Sequence, residues 1–400
     1  MSSCRRYALI ALLLCLVGTA VFVAGFGLGR YVFPSSDSRA WQVASEQRQQ
    51  FSPFWEAWRI IEDEYYTEQP LDYQAMTYGA ARGMVASLGD PHTAFLTPEE
   101  ADMFSQDLTG TFGGIGVTIT PTDDGFVQVV KLIPGGPAEK TVLQPGDVVL
   151  AVDGTSIHGM SQNEAIALIR GEVGTQVTLR VRHEGQEMDL TLTRAIIAIP
   201  VTERKMLDNN IAYLYVGEFN ARAADLVKTD LTDLLKHEPR GLILDLRGDP
   251  GGYLHIVEQV ADEFLPEGVL VIERSSTGAE SRRNTTASGL AESIPLVVLV
   301  DGGSASASEI LAGAVQDRGR GVLIGEQTYG KGSVQVTERL SDRSAVAVTI
   351  RRWFTPADRA IDGKGLTPDI VVEYTEEDAK AGRDPQLDRA IKYLMENTAQ

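Results

Sequence analysis

Cysteine is nearly absent from this 400-residue chain. Cys4 and Cys15 are the only two, and both lie close to the N-terminus. The rest of the chain therefore cannot contain a disulfide framework, a cysteine-based metal cluster or a thiol nucleophile. Histidine is also scarce: the five residues at 92, 158, 183, 237 and 255 form no metal-binding spacing. His92 and His255 lie near turns that look functional, and we favour a non-catalytic role for both.

Basic side chains are fewer than acidic ones. The chain has 36 Lys and Arg residues against 55 Asp and Glu, a formal net charge of −19, and no basic cluster interrupts this balance. Such a charge repels phosphate backbones and anionic lipid headgroups. A phosphate-binding loop is missing as well, because residues 325–331 lack the P-loop spacing. These shortages argue against nucleic-acid partners, and we expect neither a metal nor another cofactor.

Long apolar runs are limited to one, close to the N-terminus. Arg5 and Arg6 precede an uncharged run over residues 7–29, and Arg30 follows it. The run is long enough to span a hydrocarbon core of roughly 30 Å, and the charge in front of it predicts a cytoplasmic N-terminus. We expect an uncleaved signal anchor. A cleaved signal peptide, with Gly18-Thr19-Ala20 as its small-residue site, is the alternative.

The remaining length suggests two or three domains. Apolar residues recur at helical spacing between Phe51 and Leu88, which predicts two amphipathic helices joined across Pro70. These helices could form a homodimer or pack on the core. The predicted order is a transmembrane anchor (1–30), a tether (31–50), a helical region (51–98), a β-rich module (99–195), an α/β core (196–375) and a C-terminal helix on the core or a partner (376–400).

The β-rich module alternates apolar and polar side chains. This alternation predicts strands over 111–120 and 126–133, and a hairpin between 177 and 192. Ser161 followed by Glu164 is typical of a capping box at a helix start. A small β-rich domain with one main helix resembles a PDZ domain, and the loop Gly113–Val117 carries the likeness together with the segment 143–157.

The core has a different pattern. Near-continuous runs of Val, Ile and Leu stand at 211–216, 242–246, 296–300 and 322–324, separated by segments of helical length. Strands buried on both faces of a parallel sheet have this composition. The fold class predicted for the core is therefore α/β, with a parallel or mixed sheet flanked by helices.

Ser306 stands in a run of small residues between a predicted buried strand and a predicted helix. A serine there can lie beside backbone N–H groups at the positive end of the helix dipole, where an oxyanion is stabilised. Ser306 and Glu309 also fit a capping box. From this segment alone a helix cap is favoured over a nucleophile, and Ser304 or Ser308 could equally be the exposed hydroxyl.

Lys331 and Gln335 supply what a serine nucleophile needs. A lysine acts as a base only when neutral, and desolvation among apolar strands favours the neutral amine. Residues four apart share a face on either a strand or a helix, so an amide at 335 can orient the amine at 331. A surface lysine in a glycine turn is the alternative.

The Asp249–Gly252 turn could add a second oxyanion donor, because glycines let backbone N–H groups approach a substrate. Alternatively, it could be only a connection between a strand and a helix.

Taken in order, these segments resemble the carboxyl-terminal processing peptidases, also called tail-specific proteases, over nearly all of the chain beyond the apolar run. The departures are small, since Asp301 and Gly248-Asp249 stand where asparagine-containing patterns are more usual. The likeness rests on Leu88–Thr93 with Thr97–Glu100, Asp245–Gly252, Ser304–Glu309, Gly325–Gln335, and the pair Phe354–Pro356 and Asp362–Asp369, which look like the family's closing strands.

The resemblance implies roles for individual residues. It implies Ser306 as the nucleophile, Lys331 as general base and acid, and Gln335 as the residue that orients the lysine. It also implies an oxyanion hole from the N–H groups of Ala307 and Gly252, with Gly251 in the same turn. In the PDZ module, it implies that Ile115, Gly116 and Val117 take the carboxylate of a substrate tail, which would add as a strand. A module that only gates the site is the alternative.

The sequence thus predicts a serine endopeptidase that cleaves protein substrates near their C-termini through an acyl-enzyme. Its catalytic part is expected outside the cytoplasm, held by a single-pass anchor in the cell membrane, or secreted if the signal is cleaved. A non-catalytic PDZ scaffold tethered at the membrane is the alternative of another class. An acyl-CoA enzyme on a similar core is an enzymatic alternative.

Overall fold

The computed structural model describes residues 50–122, 124–198 and 201–397. The predicted anchor and residues 31–49 of the tether lie outside the described residues. Within those ranges, no helix has both the length and the apolar character that a membrane span requires. The chain divides into two compact units between Met76 and Thr77.

The first unit contains helix α1 (Ser52–Glu64) and the first turn of helix α2 (Tyr73–Ala86). The ring of Trp58 stacks on that of Tyr73 with 6.2 Å between centroids, so apolar spacing places aromatic side chains together. The prediction of two helices on either side of Pro70 is confirmed.

The second unit contains the remaining helices and all the strands of the described chain. The helices are α3 (Pro98–Thr109), α4 (Gln162–Ile169), α5 (Ala223–Leu235), α6 (Leu254–Asp262), α7 (Ala307–Asp317), α8 (Glu376–Lys380) and α9 (Pro385–Asn397). The strands are β1 (Ala94–Leu96), β2 (Thr111–Gly114), β3 (Val117–Pro121), β4 (Val127–Leu132), β5 (Val148–Val152), β6 (Thr155–Ser156), β7 (Gln176–His183), β8 (Gln186–Thr193), β9 (Ala195–Ala198), β10 (Thr202–Leu207), β11 (Ile211–Val216), β12 (Gly241–Asp245), β13 (Gly268–Ser275), β14 (Glu280–Thr285), β15 (Leu296–Val300), β16 (Val322–Gly325), β17 (Ser333–Arg339), β18 (Ala345–Phe354) and β19 (Ile370–Val371).

A largely parallel sheet forms the centre of the core. Its strand order is β10-β11-β12-β15-β16-β19, and only the β10–β11 pair is antiparallel. The strands β12 and β15 are buried at every position, as their continuous apolar runs predict. Because these two strands are parallel neighbours, with Asp245 opposite Leu299, the loops that follow them meet at one edge of the sheet.

A second sheet of the core brings distant segments together. Its order is β1-β18-β13-β14, and β17 pairs with β18. All these pairs are antiparallel. The sheet places β1, which precedes the PDZ-like module, beside β18, which follows most of the core, with Ala94 opposite Ala347. The segment around His92 is thereby held near β17.

The PDZ-like module is inserted between the halves of a two-stranded ribbon. Strand β2 enters the module and β9 leaves it, and the two pair antiparallel from Thr111↔Ala198 to Gly114↔Ala195. Inside, a sheet of order β3-β4-β5-β7-β8 carries β6 on β5. Helix α4 begins at the predicted capping box of Ser161 and Glu164, and the predicted hairpin is β7–β8.

Two expectations about strands were wrong. The predicted strand 111–120 is two strands, because Gly116 has φ +79° and breaks the extended conformation between β2 and β3. The segment Asp362–Asp369 forms turns rather than a closing strand, since Gly363 and Gly365 both have φ +67°. Helix α3 also lies inside the predicted module, where its charged sequence gave little apolar periodicity.

Candidate active site

Ser306 occupies a strained turn between β15 and α7. Its backbone has φ 57° and ψ −113°, a conformation that costs a non-glycine residue about 1–3 kcal/mol and clusters at functional sites. The turn is fixed by Asp301, whose Oδ1 accepts the N–H groups of Gly303 at 2.9 Å and Gly248 at 2.9 Å. The asparagine-to-aspartate departure at 301 thus keeps a structural acceptor in place.

The three serines of this turn differ in their contacts. Ser304 Oγ donates to the carbonyl of Leu246 at 2.8 Å, and Ser308 Oγ donates to the carbonyl of Asp249 at 3.0 Å. Both serines are essentially inaccessible, whereas Ser306 is 7% exposed and lines a cavity. The hydroxyls of Ser304 and Ser308 are therefore used in holding the turn against β12, and Ser306 is the serine that a substrate can reach.

Glu309 ties the serine turn to the lysine. This carboxylate is fully buried, and its Oε2 accepts the N–H of Ser306 at 2.9 Å, which is the carboxylate half of the predicted capping box. It also accepts the N–H groups of Gly330 at 2.8 Å and Lys331 at 2.9 Å, and the hydroxyl of Thr328 at 2.5 Å. Burial raises its pKa, and these donors oppose that rise. The sequence indicated only the cap, because the other three donors lie beyond β16 in the chain.

Lys331 precedes β17 and lines the same cavity as Ser306. Burial lowers the pKa of its amine, and no carboxylate in the described part of the chain forms an ion pair with it. Both conditions favour the neutral amine that a general base requires. No hydrogen bond joins Ser306 Oγ to Lys331 Nζ within the described residues, and such bonds often tighten only when substrate is bound.

Gln335 projects from β17 into this cavity. Its Nε2 donates to Ser333 Oγ at 2.8 Å and to Thr349 Oγ1 at 3.1 Å. The N–H of Thr349 in turn donates to Thr93 Oγ1 at 3.1 Å. The side chain is thus fixed from β18 and from the segment before the PDZ-like module, with its amide oxygen left to accept a hydrogen bond.

The turn after β12 lies directly against the serine. A Cβ atom on Gly251, which has φ +103°, would lie 2.7 Å from Ser306 Cβ and 2.9 Å from the nitrogen of Ala307. The N–H of Gly251 itself donates to Asp249 Oδ1 at 2.8 Å. Among the described residues, the N–H groups of Gly252 and Ala307 have no acceptor. These two N–H groups are therefore available to an anion, and Gly251 lies close to both Ser306 and Ala307.

The cavity that contains these groups has a volume of about 680 Å³. Much of its wall is apolar and comes from segments that the sequence did not connect with the site, including Leu96, Phe104, Leu108 and Trp353. His92 also lines it, held by its N–H to Asp90 Oδ1 at 3.0 Å. His255 does not line this cavity. The long-range pairing of β1 with β18 brings the 94–108 segment to the site, and no local pattern encodes that pairing.

A second groove lies in the PDZ-like module. It has a volume of about 240 Å³ and is lined by Ile115, Gly116 and Val117 together with Ile166 and Arg170 of the α4 end. Strand β3 is an edge strand of the described sheet, since it pairs only with β4. An edge strand beside a helix leaves room for an added peptide strand. The three residues predicted to take a carboxylate therefore lie together in the wall of a largely apolar groove.

Gly251→Ala is expected to lower kcat by about 100-fold or more, because the new methyl group must displace Ser306 or the Ala307 N–H and thereby lose an oxyanion donor. Gly248→Ala is the matched control. Gly248 also has positive φ, +70°, yet a Cβ there meets nothing within 4 Å. Initial rates on a protein substrate measure both variants, and an unimpaired Gly251→Ala enzyme would contradict this geometry.

The chain matches known proteins over most of its length. It matches the family model of peptidase family S41 over residues 210–372 and that of the PDZ domain over residues 106–182. It is 33% identical over 363 residues to the carboxy-terminal processing protease CtpA of Bacillus subtilis, covering 89% of this chain and 75% of that protein. It is 37% identical over 324 residues to a carboxyl-terminal-processing protease of Synechocystis, covering 79% and 75%.

A solved structure is also similar to this chain. The photosystem II D1 C-terminal processing protease is 34% identical, with a TM-score of 0.52 over 83% of this chain and 94% of that one. The predicted resemblance is confirmed, as are the mixed α/β core and the PDZ domain. The chain belongs to peptidase family S41, among the carboxy-terminal processing proteases, and is a serine-type peptidase.

Proposed function

We propose that this protein is an endopeptidase that cleaves protein substrates near their C-termini, with Ser306 as nucleophile and Lys331 as general base and acid. The observation that carries the proposal is the shared cavity: Ser306, Lys331, Gln335 and the Gly251-Gly252 turn all line it. Lys331 forms no ion pair with a carboxylate of the described chain, and burial lowers its pKa.

The reaction follows from these positions. Ser306 Oγ attacks the scissile carbonyl carbon while its proton passes to the neutral Lys331 amine. The carbonyl oxygen becomes an oxyanion, which the N–H groups of Ala307 and Gly252 stabilise at the positive end of helix α7. The C–N bond then breaks as Lys331 returns the proton to the leaving amine. Water hydrolyses the ester by the same steps, with Lys331 accepting a proton from the water.

Gln335 is the residue we assign to orienting the lysine. Its Nε2 is held by Ser333 and Thr349, so its amide oxygen is left to accept a hydrogen bond from the Lys331 amine. A neutral amide orients the amine without adding a negative charge, which would raise the lysine pKa. The carboxylate of Glu309 accepts the backbone N–H of Lys331 rather than its side chain, and burial lowers the pKa of the Lys331 amine.

The PDZ domain is assigned to the capture of substrate tails. Its groove is largely apolar, and the Ile115–Val117 loop, where Gly116 has positive φ, forms part of its lining. A tail that adds to the free edge of β3 would place an apolar C-terminal side chain against Ile166 and its carboxylate at the loop.

A substrate with a free C-terminal carboxylate is expected to be cleaved about 10- to 100-fold more efficiently than the same substrate with an amidated C-terminus. Charge-assisted hydrogen bonds to the carboxylate are worth about 1.5–3 kcal/mol. The difference should appear mainly in KM, because the groove does not contain the reacting groups. Matched peptides in a steady-state cleavage assay measure it.

The same assay has a pair of matched variants. Ile166→Glu places a negative charge in the groove and should erase the preference for the free carboxylate, whereas Val142→Glu, at a 52% exposed valine of the same domain, should keep it. Equal cleavage of both peptides by the unmodified protein would rule out tail recognition. Retained proteolysis in that case would leave the serine–lysine assignment standing.

Membrane attachment remains a prediction from the N-terminal segment of the sequence. The two arginines at positions 5 and 6 and the apolar run at 7–29 support a single-pass anchor with the peptidase outside the cytoplasm. A homodimer through the N-terminal helices likewise remains a prediction.

A further inference from the structure

Asp249 is a buried acid that the serine–lysine mechanism does not use. It lies between β12 and the Gly251-Gly252 turn and has no exposed surface. Its Oδ1 accepts the Gly251 N–H at 2.8 Å, while Oδ2 is buried without a hydrogen-bond partner in the described chain. Its backbone carbonyl accepts the N–H of Ala305 at 2.9 Å and the hydroxyl of Ser308 at 3.0 Å.

The surroundings of Asp249 disfavour a charge. No basic side chain in the described ranges forms an ion pair with it, and the titratable groups that face it are Glu218, which follows β11, and Tyr215 on β11. From helix α7, Ser308 supplies only a hydroxyl. Burial, with Glu218 adding to it, raises the pKa of Asp249 well above its usual range, and the Gly251 and Ser308 hydrogen bonds oppose this only in part. An isolated buried carboxylate avoids this cost by keeping its proton.

We propose that Asp249 is a positioning residue that works as a neutral carboxylic acid, whose Oδ1 turns the Gly251 N–H away from the cavity and leaves the Gly252 N–H for the oxyanion. The proposal rests on the proposed role of Ser306 and its oxyanion hole. The turn requires a hydrogen-bond acceptor at Oδ1, and it does not require a charge. An amide at this position would therefore serve equally well, whereas a carboxylate would place a negative charge beside the developing oxyanion.

The proteolytic rate should therefore have a rising and a falling limb as a function of pH. The rate rises with pH as Lys331 loses its proton, and it falls at higher pH as Asp249 loses its own. The proposal assigns the alkaline fall to Asp249, so the fall should vanish when that residue cannot ionise.

The test is the pH dependence of kcat for the full chain and its Asp249→Asn variant on one peptide substrate. We expect Asp249→Asn to keep the neutral-pH rate within about threefold and to lose the alkaline fall. Asp249→Ala should lose about 100-fold in kcat with little change in KM, because the turn loses its acceptor. Tyr215→Phe should keep the alkaline fall, which excludes the neighbouring phenol as its source.

Stability provides a readout independent of activity. An acid whose folded-state pKa is raised contributes stability below its unfolded pKa, and that contribution is lost as pH rises toward the folded value. The unfolding free energy of Asp249→Asn should therefore decline less than that of the unmodified protein from about pH 4 upward. An unchanged alkaline fall in Asp249→Asn, parallel stability curves, or an Asp249→Asn defect as large as that of Asp249→Ala would overturn the proposal. Activity in a Ser306→Ala variant would instead refute the proposed function.

Discussion

Ser306→Ala is expected to abolish proteolysis, with kcat falling by about 10⁴-fold or more, while the fold is kept. Removal of a serine nucleophile from a catalytic set that acts as a unit has effects of this size. The fold should be kept because the hydroxyls of Ser304 and Ser308, rather than that of Ser306, hold the turn against β12. Turnover of an unfolded protein substrate measures the rate, and thermal unfolding measures the fold.

Ser304→Ala is the matched control for this variant. Ser304 belongs to the same turn, but its hydroxyl donates to the Leu246 carbonyl. That hydroxyl also accepts the backbone N–H of Asp301 at 3.0 Å. We therefore expect a loss of about 2 kcal/mol in stability, at about 1 kcal/mol for each neutral hydrogen bond, with turnover retained. If Ser306→Ala kept its activity while Ser304→Ala lost it, the nucleophile would be assigned to the wrong serine.

Lys331→Ala is expected to reduce kcat by about 10⁴-fold, since Lys331 is the base that we assign to accept the Ser306 proton. Lys331→Arg should be equally inactive at every pH tested, because a guanidinium does not lose its proton in proteins. Lys364→Ala, at an exposed lysine of the neighbouring turn, should retain activity and serves as the control.

The pH profile of the unmodified protein checks the same residue. Burial lowers the pKa of Lys331, so its neutral fraction, and with it the rate, increases as pH rises through a value below that of an ordinary lysine. The same shift makes the protonated amine a cost to the folded state at low pH, and this cost fades as pH rises toward the unfolded-state pKa. A rate that is flat from mildly acidic to alkaline pH would contradict a lysine base.

Much of the core was predictable because its signals are local. The parallel strands β11, β12, β15 and β16 follow from continuous apolar runs, which only a sheet buried on both faces explains. The position of Ser306 at the start of α7 was predictable because small residues follow the apolar run of β15. The helix start at Ser161 follows from its capping box.

The features that were not predictable depend on contacts between distant residues. The pairing of β1 with β18 and the apolar cavity wall from Phe104 join segments that lie far apart in the sequence. The strand break at Gly116 depends on a positive φ, and a glycine inside an alternating pattern does not by itself predict that conformation. Glu309 also accepts three hydrogen bonds from residues 328–331, and a capping-box motif predicts none of them.

Covalent labelling is the most direct test of Ser306 as the nucleophile. A serine-reactive fluorophosphonate would be applied to the full chain and to Lys331→Ala, and the modified peptide would be identified by mass spectrometry. We expect one label, on Ser306, formed faster as pH rises from mildly acidic to neutral values and strongly slowed in Lys331→Ala. A label on another residue, or none on Ser306 while the protein continues to cleave its substrate, would contradict it.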